Sequence, residues 1–201
     1  EYGEVTAKQY EDFDYKVSAK YEENVLKVDV QRNELDINAL RSAYRGLFDM
    51  EAMKQFPYRL EDFENETYHI EIQLEELEGL RKSKLLTQYS SMLGGFHFDF
   101  YFVKSSKADI NSEKSDAKYP YRQFSPTHRR LWLRKNLGVK IYRDKFRVRP
   151  YGENGDDWLH LGDRYSQNPI GAGQRMGGYH IRQNQIVGAV EISRLQNIYL
   201  Q

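Results

Sequence analysis

The sequence predicts an α+β fold: a mixed or antiparallel sheet packed with helices. Two observations carry this. Several short runs alternate apolar and polar residues with the period of two that half-buried strands require, whereas helical spacing is confined to a few segments. Read along the chain the order is β-β-α-β-(α)-β-α-β-β-loop-β, which lacks the regular alternation of a doubly wound sheet.

The elements follow in order. Phe13, Tyr15, Val17 and Ala19 alternate through 12–20, Tyr21 to Asn24 serves as a turn, and Val25, Leu26, Val28 and Val30 continue as a second strand, so 12–31 reads as a hairpin. Capping residues over 35–38 precede Ala39-Leu40, Ala43-Tyr44 and Leu47-Phe48, a helix that should end near Gln55 because Pro57 disfavours helix before it. Tyr68, Ile70, Ile72 and Leu74 mark a strand over 67–74, and 80–93 fits helix or strand up to Gly94-Gly95. Phe96 to Val103 is the strongest strand, with Phe96, Phe98 and Phe100 on one face. Lys104 to Ser125 is rich in Ser, Lys and Asp and reads as a flexible connection. Ser125-Pro126 starts a short basic helix running to about Asn136, with Ser as the cap and Pro at the first helical position. Val139, Ile141, Phe146 and Val148 form a hairpin with Arg143-Asp144 at its turn, and Ile186 to Ile192 is the last strand. Phe96, Phe98, Phe100, Ile141, Phe146, Val148, Val190 and Ile192 are expected to share a sheet-based core. The chain thus divides into a strand and helix part over 1–104, a connection over 105–125, and a basic helix, hairpin and final strand over 126–201.

Composition bounds the rest. In 201 residues, hydrophobic content is 39% and charged content 30%, offset by 16 Tyr, 10 Phe and 2 Trp; each ring buries roughly 150–250 Å², enough to expect a folded chain. There is no cysteine, hence no disulfide framework and no thiolate ligand or nucleophile, which fits a reducing, cytoplasmic compartment. No apolar run approaches the roughly 20 residues of a membrane-spanning helix, so no membrane partner is expected. The chain opens on Glu1 and stops in mid-pattern at Gln201, which reads as a piece of a longer protein. Net charge is zero but uneven: 61–78 holds eight acidic residues and no Lys or Arg, while 129–149 holds nine basic residues against Asp144. These are two solvated faces, or else the basic block meets phosphate.

The order VKIYRDKFRVRPYG, DDWL and NQIVGAVEIS over 138–194 resembles the transducer segment that follows the ATP-binding domain in GHKL-type ATPases (histidine kinase, gyrase B, heat-shock chaperone and MORC-like proteins). The likeness is thinner over 60–104. It implies a ribosomal-protein-like β-α-β architecture and a relay of nucleotide state to domain movement or dimerisation. The partners it implies are an upstream ATP-binding domain of the same chain and a second copy, with nucleic acid a further candidate. ATP and magnesium are expected in the longer protein, not in this piece. The Glu/Asn helix and DxGxG loop of the family are missing, and by the resemblance would precede Glu1, so no ATP hydrolysis is expected of this chain. Transducers present a basic side chain to the γ-phosphate; Arg149 aligns best with it, and a guanidinium can engage phosphate oxygens bidentately. Arg175, Asn184 and Gln185 complete the candidate nucleotide-sensing contacts, although the two amides also suit holding the loop together.

Other chemistry is weakly signalled. The glycine cluster over 171–178 lacks the Gly-Lys-Ser/Thr of a phosphate-binding loop and reads as part of a mobile connection over 152–178. Asp156, Asp157 and Asp163 suit loop capping around a packed Trp158 better than a cation site. His69 and His97 read as sheet-surface residues, and the five histidines show no metal-binding spacing. The alternative function is a nucleic-acid module in which Tyr121, Phe124, Trp132, Tyr142 and Phe146 interleave with the basic 129–149 segment, as in single-strand platforms.

Overall fold

A seven-stranded mixed sheet organises the protein in a computed structural model that describes residues 12–43, 45–56, 58–65, 67–76, 92–104, 122, 124–153, 156–163 and 181–199. The strands are β1 (Tyr15–Glu22), β2 (Val25–Arg32), β3 (Thr67–Gln73), β4 (Phe96–Phe102), β5 (Gly138–Arg143), β6 (Phe146–Val148) and β7 (Ile186–Ile192), in spatial order β3-β2-β1-β4-β7-β5-β6. All neighbours pair antiparallel except β5 and β7, which run parallel. The α+β prediction holds, and strands from both sides of the 105–125 connection share the sheet, because β4 pairs with β7.

Both hairpins turn on two residues with positive φ: Glu23-Asn24 (50° and 66°) and Asp144-Lys145 (50° and 70°). Two consecutive left-handed residues match the right-handed twist of the flanking strands. The second turn therefore sits one residue beyond the expected Arg143-Asp144. Asn and Asp tolerate this conformation through local side-chain hydrogen bonds, and Asp144 Oδ1 also accepts from the Arg194 amide at 3.1 Å.

The register sorts side chains onto two unlike faces. Ile70, Val28, Ala19, Phe98, Val190, Ile141 and Val148 lie level across all seven strands, an apolar row that includes Phe98, Ile141, Val148 and Val190 of the expected core. Phe96, Phe98 and Phe100 stack on this face, with Phe98 and Phe100 centroids 4.6 Å apart, yet they stay half-buried. Phe146 departs from expectation. It shares the face but is 66% exposed, since β6 is a three-residue edge strand with nothing beyond it among the described residues.

A buried cluster joins helix and sheet on the opposite face, while Ala19, Tyr21, Val139 and Ile186 are buried on the aromatic face. Helix α3 (Pro126–Asn136, after α1 Ile37–Ala43 and α2 Leu60–Glu64) sets Leu133 and Trp132 over Phe13, Tyr101, Val103 and Val187. Ser125 Oγ accepts from the His128 amide at its N-terminus, as expected of the cap. The helix is clamped by a buried ion pair, Arg129 Nη2 to Asp14 Oδ1 at 3.2 Å, with the guanidinium 3.7 Å from the Phe124 ring centre. The 33–65 excursion makes its own small core from Leu35, Leu40 and Phe63. The single helix expected there is instead α1 followed by 3-10 turns at Arg45–Asp49 and Glu51–Met53; Gly46, the costliest residue to fix in a helix after proline, lies at the break.

Candidate functional site

The C-terminal end of α3 and the start of β5 bring basic side chains together. Lys140 is only 6% exposed and donates from Nζ to the Asn136 carbonyl at 2.5 Å, satisfying an end-of-helix acceptor. Arg147 lies on the same side of the sheet, opposite Tyr142. Its Nη2 is 3.2 Å from Glu153 Oε1, and Arg149 Nε is 3.3 Å from the same oxygen. Three cations thus converge near one carboxylate. Burial, reinforced by Arg147 and opposed by Glu153, pushes the Lys140 ammonium down to about 8. The buried Nε of Arg147 has no hydrogen-bond partner among the described residues. Such a group is complementary to an anion with several acceptor oxygens.

The ground beneath the cluster is rigid. Gly138 and Gly152 take φ of +93° and +68°, and a Cβ on Gly152 would stand 2.3 Å from the Val139 carbonyl oxygen, so the chain returns against β5 at a distance only glycine permits. Trp158 Nε1 donates to that carbonyl at 2.7 Å, and Tyr151 meets Trp158 edge-on at 5.5 Å. Asp156 accepts from the Gly152 amide, and Asp157 from the amides of Leu161 and Gly162 at 3.0 and 2.7 Å. Loop capping around a packed Trp158 is therefore observed, and the described part of the expected mobile connection, 152–153 and 156–163, is tied to the sheet.

Of the candidate contacts, Arg149 follows β6 with a side chain 77% exposed. Gln185 is turned inward: its Oε1 accepts from the Arg182 amide at 3.2 Å and its carbonyl accepts from the Val103 amide at 2.9 Å, closing the 3-10 turn into β7. Asn184 is exposed on that turn, and Arg175 lies outside the described residues. Lys140 was not singled out from sequence. Its alternation with Val139 and Ile141 reads as a solvent-facing strand position, and only the closeness of α3 makes it buried.

The basic 129–149 segment is not one surface. Arg129 is consumed by Asp14, with Phe124 beneath it, and Trp132 packs on Tyr101 at 6.1 Å, so these members of the proposed aromatic and basic platform serve the interior. His69 and His97 project from the polar sheet face as expected. A cleft of about 240 Å³ at the far end of the sheet is lined by charges of both signs, among them Lys20, Lys145, Asp144 and Glu191. No helix among the described residues is long and apolar enough to cross a membrane. Compared with known proteins, the chain matches no family model, no curated protein and no solved structure.

Proposed function

We propose that the chain is a non-catalytic relay module of a larger cytoplasmic GHKL-type ATP-binding protein, in which Arg149 meets a phosphate held by a separate nucleotide-binding domain. The observation that supports this is the convergence of Lys140, Arg147 and Arg149 near the single carboxylate of Glu153. An approaching phosphate can draw Arg149 from Glu153 at modest cost, because the Arg149 side chain is 77% exposed and Glu153, itself 24% exposed, keeps Arg147 as a partner. Lys140 couples the same group to the last turn of α3 through Asn136. Charge arriving at the sheet edge is thereby felt by the helix that covers the core.

Two measurements test the reading. Titrating ATP into this chain in a calorimeter should give no binding heat in the micromolar range, since the nucleotide-holding parts are expected elsewhere. In the longer protein, Arg149→Ala should lower ATP turnover while leaving the melting temperature of this module unchanged. Unchanged turnover would remove Arg149 from the relay.

A further inference from the structure

The outer edge of β3 has a pattern that a second copy of the same strand completes. The Leu74 amide donates to the Asn24 carbonyl at 3.0 Å, which fixes the even-numbered residues of β3 as those turned toward β2. In an antiparallel ladder, the odd-numbered residues then point their amides and carbonyls away from the sheet. Two of these outward amides are sealed locally: Thr67 N donates to the Asn65 carbonyl at 2.6 Å and Gln73 N to Glu76 Oε2 at 3.3 Å. Between the seals, His69 and Glu71 face outward, and no described strand pairs with them. The sequence TYHIEIQ has neither the lysine, the proline nor the bulge by which edge strands usually discourage pairing.

We propose that β3 is a homodimer interface, two copies pairing antiparallel about a two-fold axis at Ile70. In this register His69 faces Glu71 of the second copy and Glu71 faces its His69, so all four free amide and carbonyl groups on each strand's open section are matched. The same symmetry sets an imidazole against a carboxylate twice on the polar face. Both side chains are largely exposed, at 76% and 68%, and reach across by exchanging their own-chain partners, Asp29 for His69 and Lys27 for Glu71. On the other face Tyr68 comes opposite Ile72 of the second copy, an aromatic and β-branched pair that continues the apolar row of the sheet. Phe56, half exposed and edge-on to Tyr68 at 5.7 Å, adds apolar surface beside it. Displacing the register by two residues would set His69 against His69 or Glu71 against Glu71, so complementarity selects the second copy in this register over an arbitrary added strand. The residues involved are distinct from those of the proposed relay, and either proposal can fail alone.

Sedimentation velocity on the 201-residue chain tests it. One strand pair buries less than the roughly 1,200 Å² of stable complexes, so a dimer with micromolar or weaker dissociation is expected, its fraction rising with concentration. Glu71→Pro removes an outward amide without touching the β2 ladder and should abolish the dimer. Glu71→Lys should weaken it at least tenfold, and adding His69→Glu should recover it. The chain has no cysteine, so Ile70→Cys provides a positional test: oxidation should give a covalent dimer, because directly opposed residues of this kind lie about 4.5 Å apart at Cα, within disulfide reach. A chain that stays monomeric at all concentrations, a dimer indifferent to Glu71→Lys, or failure of Ile70→Cys to cross-link would each overturn the proposal.

Discussion

Lys140 holds a charge where the fold leaves it little water, and the sign of its pH dependence follows. Its folded pKa, about 8, lies below the ordinary 10.5, so between those values the unfolded chain binds more protons and stability rises with pH. Below 8 the burial penalty is fully present; above 10.5 it is gone. Lys140→Met should remove this contribution, so the difference in unfolding free energy between variant and protein should shrink from pH 8 to pH 10.5 in paired denaturant titrations. A constant difference would mean that water reaches the ammonium. Asp14 shows the converse case. Burial raises its carboxyl above the usual value while Arg129 opposes the rise. Arg129→Ala would strand a buried carboxylate and should cost about 3–5 kcal/mol at neutral pH. The loss should diminish as acid protonates Asp14, and a loss that does not change with pH would assign the cost to packing alone. Neither residue's setting was legible in sequence. Arg129 reads as one of nine basic residues over 129–149, and its partner lies 115 positions away.

At the level of elements, period-two spacing identified β3, β4 and β7 almost to the residue and grouped Phe96, Phe98 and Phe100 correctly on one face. It could not rank the two faces. The alternation of Lys16, Ser18 and Lys20 marks the other side as polar, yet α3 converts one end of it into a buried hydrophobic cluster. Tyr101 and Val187 reach that packing because they are level with each other on β4 and β7. Leu133→Ala should accordingly cost about 2–5 kcal/mol, the usual range for a buried leucine. Phe98→Ala, at a half-buried position, should cost less than Leu133→Ala in the same denaturant series, and the reverse order would place the main core on the aromatic face. A glycine within β7 permits a close approach to β4. A Cβ on Gly188 would stand 2.3 Å from Phe100 Cδ1 and 2.8 Å from the Asp99 carbonyl oxygen, so Gly188→Ala should destabilise by about 1–3 kcal/mol through overpacking.

For the whole molecule, the arrangement of strands decides how the chain unfolds. The sequence divides at its low-complexity connection, and composition alone could not reveal that β7 returns to pair with β4 along its whole length, Phe96 opposite Ile192 through Phe102 opposite Ile186. Such pairing is set by tertiary contacts between segments that carry no mutual signal in sequence. Its consequence is energetic. The buried cluster draws Phe13, Tyr101 and Val103 from one side of the connection and Leu133 and Val187 from the other, so neither side closes its core alone. The Asp14–Arg129 pair and the hydrogen bond from Val103 to Gln185 cross the same divide. A single cooperative transition is therefore expected, with tryptophan fluorescence and far-ultraviolet circular dichroism giving coincident denaturant curves. Trp132 and Trp158 both report on the later part, whereas β1 to β4 dominate the strand signal, so the probes sample opposite sides of the divide. Separated midpoints would show that the sheet parts between β4 and β7 before it melts.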